Sequence, residues 1–124
     1  MEINVYYPKR REARDYINDW DIKVSYNNQI PTKANIDKDY VELPIPQKFW
    51  NVMDDKLDIG SEEIILEGIF KMMNDYNSNP MSTNKMQDWI RANKVSHTSM
   101  SVGDVVCIND MYFVCMNEGW KEVQ

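Results

Sequence analysis

Strand-forming patterns at both ends of the chain, with helical patterns between them, are the feature that most limits its fold. Near the N-terminus, Glu2–Tyr7 alternates apolar and polar residues in a β-rich run that ends at Pro8. Near the C-terminus, Val105–Ile108 and Met111–Cys115 flank a two-residue turn, and a second turn leads to Trp120–Val123. The sequence therefore predicts an α+β fold in which the N-terminal strand joins a C-terminal antiparallel three-stranded meander, with three to four short helices between.

The spacing of apolar residues also predicts the connecting elements. It favours a short amphipathic helix over Arg10–Trp20, a second strand over Ile22–Tyr26 and a loop over Asn27–Lys38. Further along, the spacing predicts a strand over Tyr40–Ile45, a helix that begins at Pro46 and a short helix over Thr83–Asn93. Between these two helices it predicts another, with Ser61 as its N-cap, that extends to about Tyr76 and has Tyr76 on its buried face.

Length and composition indicate a single folded domain over residues 1–124. Apolar residues make up 43% and aromatic residues 11% of the chain, which is too rich for a disordered acidic segment. There is no run of roughly 18 apolar residues, as a membrane span requires, and the N-terminus lacks a secretory signal pattern. We therefore expect a cytoplasmic protein that does not enter a membrane.

The two cysteines predict neither a disulfide nor a metal site. In the hairpin register, Cys107 lies opposite Tyr112, and Cys115 points to the other face of the sheet. That geometry disfavours a disulfide and predicts reduced thiols. His97 and the two cysteines do not have the spacing of zinc ligands. We expect no metal and no cofactor.

The sequence around the single histidine offers candidates for nucleophilic catalysis without selecting any of them. Ser96, Ser99, Ser101 or Cys107 could each meet His97 in the fold, but nothing in their spacing identifies a nucleophile and its base. A lone histidine in a Ser/Thr-rich segment is typical of a loop hydrogen bond, and Gly103 alone does not make a phosphate-binding loop. We expect a protein that binds another macromolecule and is not an enzyme.

Negative charge is concentrated in the middle quarter of the chain. Residues 37–67 carry nine acidic and three basic side chains, which accounts for the whole net charge of −6. We expect six carboxylates on either side of a short Gly60-Ser61 break to form one partner-binding rim: Asp54, Asp55, Asp58, Glu62, Glu63 and Glu67. Such a rim suits a basic protein surface and repels DNA. Two alternatives are a solvated face that only aids solubility, and binding through the basic segment Lys9–Arg14.

The segment His97–Val106 (HTSMSVGDVV), together with Tyr112–Cys115 and Gly119–Val123, resembles the C-terminal module of YodL-like proteins. The resemblance covers roughly residues 64–123. It implies a setting on plasmids, conjugative elements or phages of Gram-positive bacteria. The chain looks like a plasmid- or phage-borne type II anti-CRISPR protein, which would inhibit Cas9 or the loading of its guide RNA. The alternative is a non-catalytic module that acts in transfer, replication or antirestriction.

Within the same motif, two residues are predicted to have structural roles. Gly103 is expected to adopt a backbone conformation that is costly for residues with a Cβ atom. Trp120 is expected to pack on the sheet.

Overall fold

A five-stranded antiparallel sheet lies at the centre of the computed structural model, which describes residues 1–10, 19–53 and 61–124. The strands are β1 (Ile3–Pro8), β2 (Tyr40–Glu42), β3 (Val105–Ile108), β4 (Met111–Cys115) and β5 (Trp120–Glu122). Their order is β2-β1-β3-β4-β5, so that the N-terminal strand pairs with the C-terminal meander and β2 adds to its other side. The predicted α+β fold is confirmed.

The β3–β4 hairpin has the predicted register. Cys107 pairs with Tyr112, and both residues of the two-residue turn, Asn109 and Asp110, have positive φ angles of 47° and 68°. Two positive φ values are the conformation that lets a two-residue turn follow the twist of the flanking strands. Cys107 and Cys115 are both buried free thiols.

The helices cover both faces of the sheet. Within the described residues they are α1 (Trp20–Asn27), α2 (Lys33–Asp39), α3 (Glu62–Met73) and α4 (Asn84–Ala92), with 3₁₀ helices at Gln47–Met53 and Pro80–Ser82. α1 and α2 pack with Val105 in one apolar cluster, whereas α3 and α4 pack with Val106 in the other. Since neighbouring residues of a strand point to opposite faces, the two clusters lie on opposite sides of the sheet.

The predicted strand over Ile22–Tyr26 is wrong, because this segment lies within α1. Trp20 and Val24, one helical turn apart, are buried at 3% and 0% exposure, whereas Tyr26 is 82% exposed. Residues spaced by four satisfy a helical face and also the two-residue alternation of a strand. The pattern therefore fits both structures, and packing against the sheet selects the helix.

The predicted loop over Asn27–Lys38 is also wrong in its second half, where α2 forms. Thr32 and Asn35 make a reciprocal capping box: the Asn35 amide donates to Thr32 Oγ1 at 3.1 Å, and the Thr32 amide donates to Asn35 Oδ1 at 2.9 Å. Ile36 is the buried residue of this helix. A single apolar residue gives no periodic signal, so the sequence pattern missed the helix.

The later helices follow the predictions more closely. A helix forms after Pro46 and α4 occupies the predicted segment. α3 begins after Ser61, as predicted, but ends at Met73, and Tyr76 is 78% exposed, so its predicted place on the buried face is wrong. The Asn74 side chain ends the helix by donating to the carbonyls of Phe70 and Met100 at 2.9 and 3.1 Å.

The helix predicted over Arg10–Trp20 falls mainly on residues 11–18, outside the described residues. Arg10 itself is not helical: its amide donates to the Lys94 carbonyl at 3.0 Å. In the part of the chain that the structure describes, no helix has the length and apolar character needed to cross a membrane.

Candidate functional site

Three of the six predicted partner-binding carboxylates lie on α3. Glu62 and Glu63 occupy its first turn and Glu67 follows one turn later, and all three are exposed. The helix buries a stripe of Ile65, Leu66, Ile69 and Met73 in the core. Glu63 and Glu67 lie off this stripe, whereas Glu62 shares the face of Leu66, four residues on, and is exposed at the first residue of the helix. Negative charge in the first turn is favoured by the helix dipole. Burial of the apolar stripe thus directs Glu63 and Glu67 toward solvent.

The α3 carboxylates also carry a small energetic cost. Glu63 and Glu67 are four residues apart, so like charges face each other along the helix. Such a pair destabilises an isolated helix by about 0.2–0.5 kcal/mol. A bound cation would relieve this repulsion.

The other predicted site residues lie elsewhere. Asp54, Asp55 and Asp58 are outside the described residues, so the joint rim of six carboxylates stays a prediction. Of the alternative basic segment Lys9–Arg14, only the first two residues are described. Arg10 Nε lies 3.6 Å from Asp19 Oδ2, which engages this guanidinium within the chain.

A small pocket opens beside Glu67, between α3 and the β4–β5 turn. It has a volume of about 210 Å³, and its lining consists of Glu67, Phe70, Cys115, Met116, Asn117, Gly119 and Trp120. Phe70 and Trp120 are half-buried, and their rings meet edge to face with centroids 6.5 Å apart and an angle of 86°. The predicted packing of Trp120 on the sheet is confirmed by its contact with the core.

The turn that closes this Glu67 pocket is held by hydrogen bonds. The Met116 amide donates to the Gly119 carbonyl at 2.9 Å, and Gly119 has a φ of +73°. The Asn117 side-chain amide donates to the Ser25 carbonyl at 2.8 Å, which ties the turn to α1. The pocket wall is therefore preorganised. Sequence reasoning missed the pocket because Phe70 and Trp120 are fifty residues apart and each pattern assigns its residue to the core.

A second cluster surrounds His97. Its Nε2 lies 2.9 Å from both Oδ1 and Oδ2 of Asp104, which is fully buried. Its ring stacks on that of Tyr7, with centroids 4.4 Å apart and an angle of 16°. The Tyr7 hydroxyl donates to the Thr98 carbonyl at 2.9 Å. The predicted loop hydrogen bonding of His97 is confirmed, with a buried carboxylate as its partner.

The contacts of this cluster follow the order serine, histidine, aspartate. Ser96 Oγ lies 3.0 Å from His97 Nδ1, and Asp104 holds the other ring nitrogen. A serine hydrolase would need, in addition, a substrate site and oxyanion-stabilising donors next to the serine. The arrangement fits a structural role, because the contacts of Tyr7 attach the segment that begins at His97 to strand β1.

Burial and charge act in opposite directions on His97. Burial lowers the pKa of its imidazole, but the attraction and hydrogen bond of Asp104 raise it by more, with a further increase from Asp21 and an opposing effect of Arg10. The pKa of His97 therefore lies above its ordinary value of 6.5. Burial raises the pKa of Asp104 to about 6, against the attraction of His97 and the hydrogen bond from the Ser101 amide.

The raised pKa of His97 predicts that stability falls as pH rises above neutrality. At pH 6.5 the folded protein holds the His97 proton and Asp104, with its pKa of about 6, is mostly ionised, so the ion pair stabilises the fold; this stabilisation is lost as pH rises through the raised pKa of His97. We expect the melting temperature to decrease between about pH 6.5 and pH 8. Asp104→Asn, which removes the carboxylate, should flatten this dependence. An equal slope in the variant would show that other groups are responsible.

Among residues 1–10, 19–53 and 61–124, no three His, Cys, Asp or Glu side chains come together in a way that could hold a metal ion. No protein-family model, curated protein or solved structure matches this chain. Its resemblance to YodL-like proteins remains a hypothesis that rests on the motif residues.

Proposed function

We propose that this protein acts by binding a basic surface of another protein and catalyses no reaction. The observation that carries the proposal is the exposure of all three α3 carboxylates, one of which, Glu67, lines an aromatic pocket. The net charge of −6 extends the same preference over the whole molecule. A concentrated negative field speeds association with a basic partner and disfavours contact with DNA.

For the partner, we propose Cas9 or the Cas9–guide RNA complex in the cytoplasm of a bacterial host. Cas9 holds its guide and target in positively charged channels and reads the short motif next to its target with arginines. An acidic protein surface can compete for those sites through the same electrostatic attraction that binds phosphates. The resemblance to a mobile-element module supports this partner, since mobile elements are targets of Cas9.

A plasmid-interference assay tests this function. Cells that carry Cas9 and a guide against an incoming plasmid should lose that plasmid in the absence of the protein. Expression of the protein should raise the transformation efficiency to the level obtained with a non-targeting guide. If interference is unchanged although the folded protein is present, Cas9 is not the partner. A module that acts in plasmid transfer or replication would then be the better proposal.

A further inference from the structure

We propose that the Glu67 pocket binds the side chain of one arginine of the partner protein. The inference rests on the proposed function, because it names the chemical group that the α3 carboxylates would meet. Its basis is the combination in one cavity of a carboxylate, two aromatic rings and a fixed turn.

The size of the pocket indicates a single side chain. Pockets for cofactors and drug-sized ligands usually have volumes of about 300–1,000 Å³. The Glu67 pocket, at about 210 Å³, is smaller than that range. One long side chain that enters from a partner surface is an occupant of suitable size.

The charge of the lining selects a cation. Of the described residues that line the pocket, Glu67 is the only one with a charged side chain. Burial raises the pKa of the neighbouring Cys115 thiol to about 12, so this wall is uncharged at neutral pH. Within the described residues, Glu67 has no ion-pair partner, and Lys71, one turn further along α3, lines a separate cleft with Phe49.

The aromatic rings favour arginine over lysine. Phe70 and Trp120 are half-buried, so part of each ring is open to a ligand. A guanidinium group is planar, stacks on aromatic faces and is more weakly hydrated than an ammonium group. It can also donate two parallel hydrogen bonds to one carboxylate. An arginine can therefore satisfy both the rings and Glu67.

The test is an NMR titration of the ¹⁵N-labelled protein with N-acetyl-arginine amide. We expect saturable shifts of the Trp120 indole N–H signal and of the Asn117 and Gly119 amide signals. N-acetyl-citrulline amide, which has nearly the same shape and no charge, should cause no saturable shifts. The lysine derivative should bind more weakly than the arginine derivative, because it lacks the planar group.

Two variants and one matched control complete the test. Glu67→Gln should weaken binding about fivefold, as expected for loss of a partly exposed ion pair. Phe70→Leu should weaken it through the loss of one ring. Asp37→Asn removes an exposed carboxylate on α2, outside both α3 and the pocket lining, and should bind as the parent does. Equal effects of Asp37→Asn and Glu67→Gln, or equal binding of citrulline, would overturn the proposal.

The probe separates this proposal from the choice of partner, because no Cas9 is present in the titration. Arginine binding without inhibition of Cas9 would support the pocket and reject Cas9. Inhibition of Cas9 without arginine binding would support the function and reject the pocket.

Discussion

Gly103→Ala is expected to lower the free energy of unfolding by about 2–6 kcal/mol. Gly103 has a φ of +98°, a conformation that costs a residue with a Cβ atom about 1–3 kcal/mol. A Cβ atom here would also lie 2.8 Å from the Asp21 Cα and 3.2 Å from the Trp20 carbonyl oxygen. These are backbone atoms at the start of α1, so relief requires moving the helix, at a further cost of about 1–3 kcal/mol.

The matched control is Gly119→Ala. Gly119 also has a positive φ, +73°, but a Cβ atom would meet nothing within 4 Å. Gly119→Ala should therefore lower the free energy of unfolding only by the cost of the backbone conformation, about 1–2 kcal/mol. Thermal and urea denaturation of both variants measure the difference. A domain of this size should lose about 4 °C of melting temperature per kcal/mol. Equal losses at the two positions would show that the close approach of α1 to Gly103 is wrong.

The sheet could be predicted from the sequence because its signals are local and mutually consistent. Alternation in Glu2–Tyr7 and the two-residue turn at Asn109-Asp110 each identify one structure, and the register of the hairpin follows from the turn. α1 and α2, which pack on the face of the sheet that carries Val105, are harder to predict from the sequence. The apolar positions of α1 fit two periods, and α2 buries only Ile36, so tertiary packing decides both.

The candidate site could be predicted only in part. The α3 carboxylates are neighbours in the sequence, and the exposure of Glu63 and Glu67 follows from the buried apolar stripe on another face of the helix. Glu62 shares the face of Leu66, so its exposure does not follow from the pattern. The Glu67 pocket depends on Phe70 meeting Trp120, which requires the fold. Likewise, the spacing between His97 and Asp104 does not reveal that the carboxylate is fully buried or that Tyr7 stacks on the imidazole.

Reversal of the three α3 carboxylates, Glu62→Lys, Glu63→Lys and Glu67→Lys, is expected to weaken binding to Cas9 by at least about tenfold. Each change replaces attraction to a basic surface with repulsion. All three side chains are exposed and their helix is anchored by its buried apolar residues, so the fold should persist. Reversal of the two charges in the first turn should lower the free energy of unfolding by about 1–3 kcal/mol.

A second triple variant controls for net charge. Glu2→Lys, Asp37→Lys and Asp88→Lys change the charge by the same amount, and these three side chains are also exposed but lie off α3 and outside the lining of the Glu67 pocket. If position matters, this variant should retain most of the parent affinity. If only net charge matters, the two triple variants should bind equally weakly.

Binding through the acidic surface of α3 is tested by the Kd for Cas9 of the parent and both triple variants, each measured at low and moderate salt. We expect the parent to bind, with an affinity that falls between about 0.05 and 0.3 M salt as screening shortens the range of the interaction. The α3 variant should lose most of this affinity and its salt dependence, whereas the control variant should keep both. If the α3 variant binds as tightly as the parent, the carboxylates serve only solubility and binding through an acidic surface is contradicted.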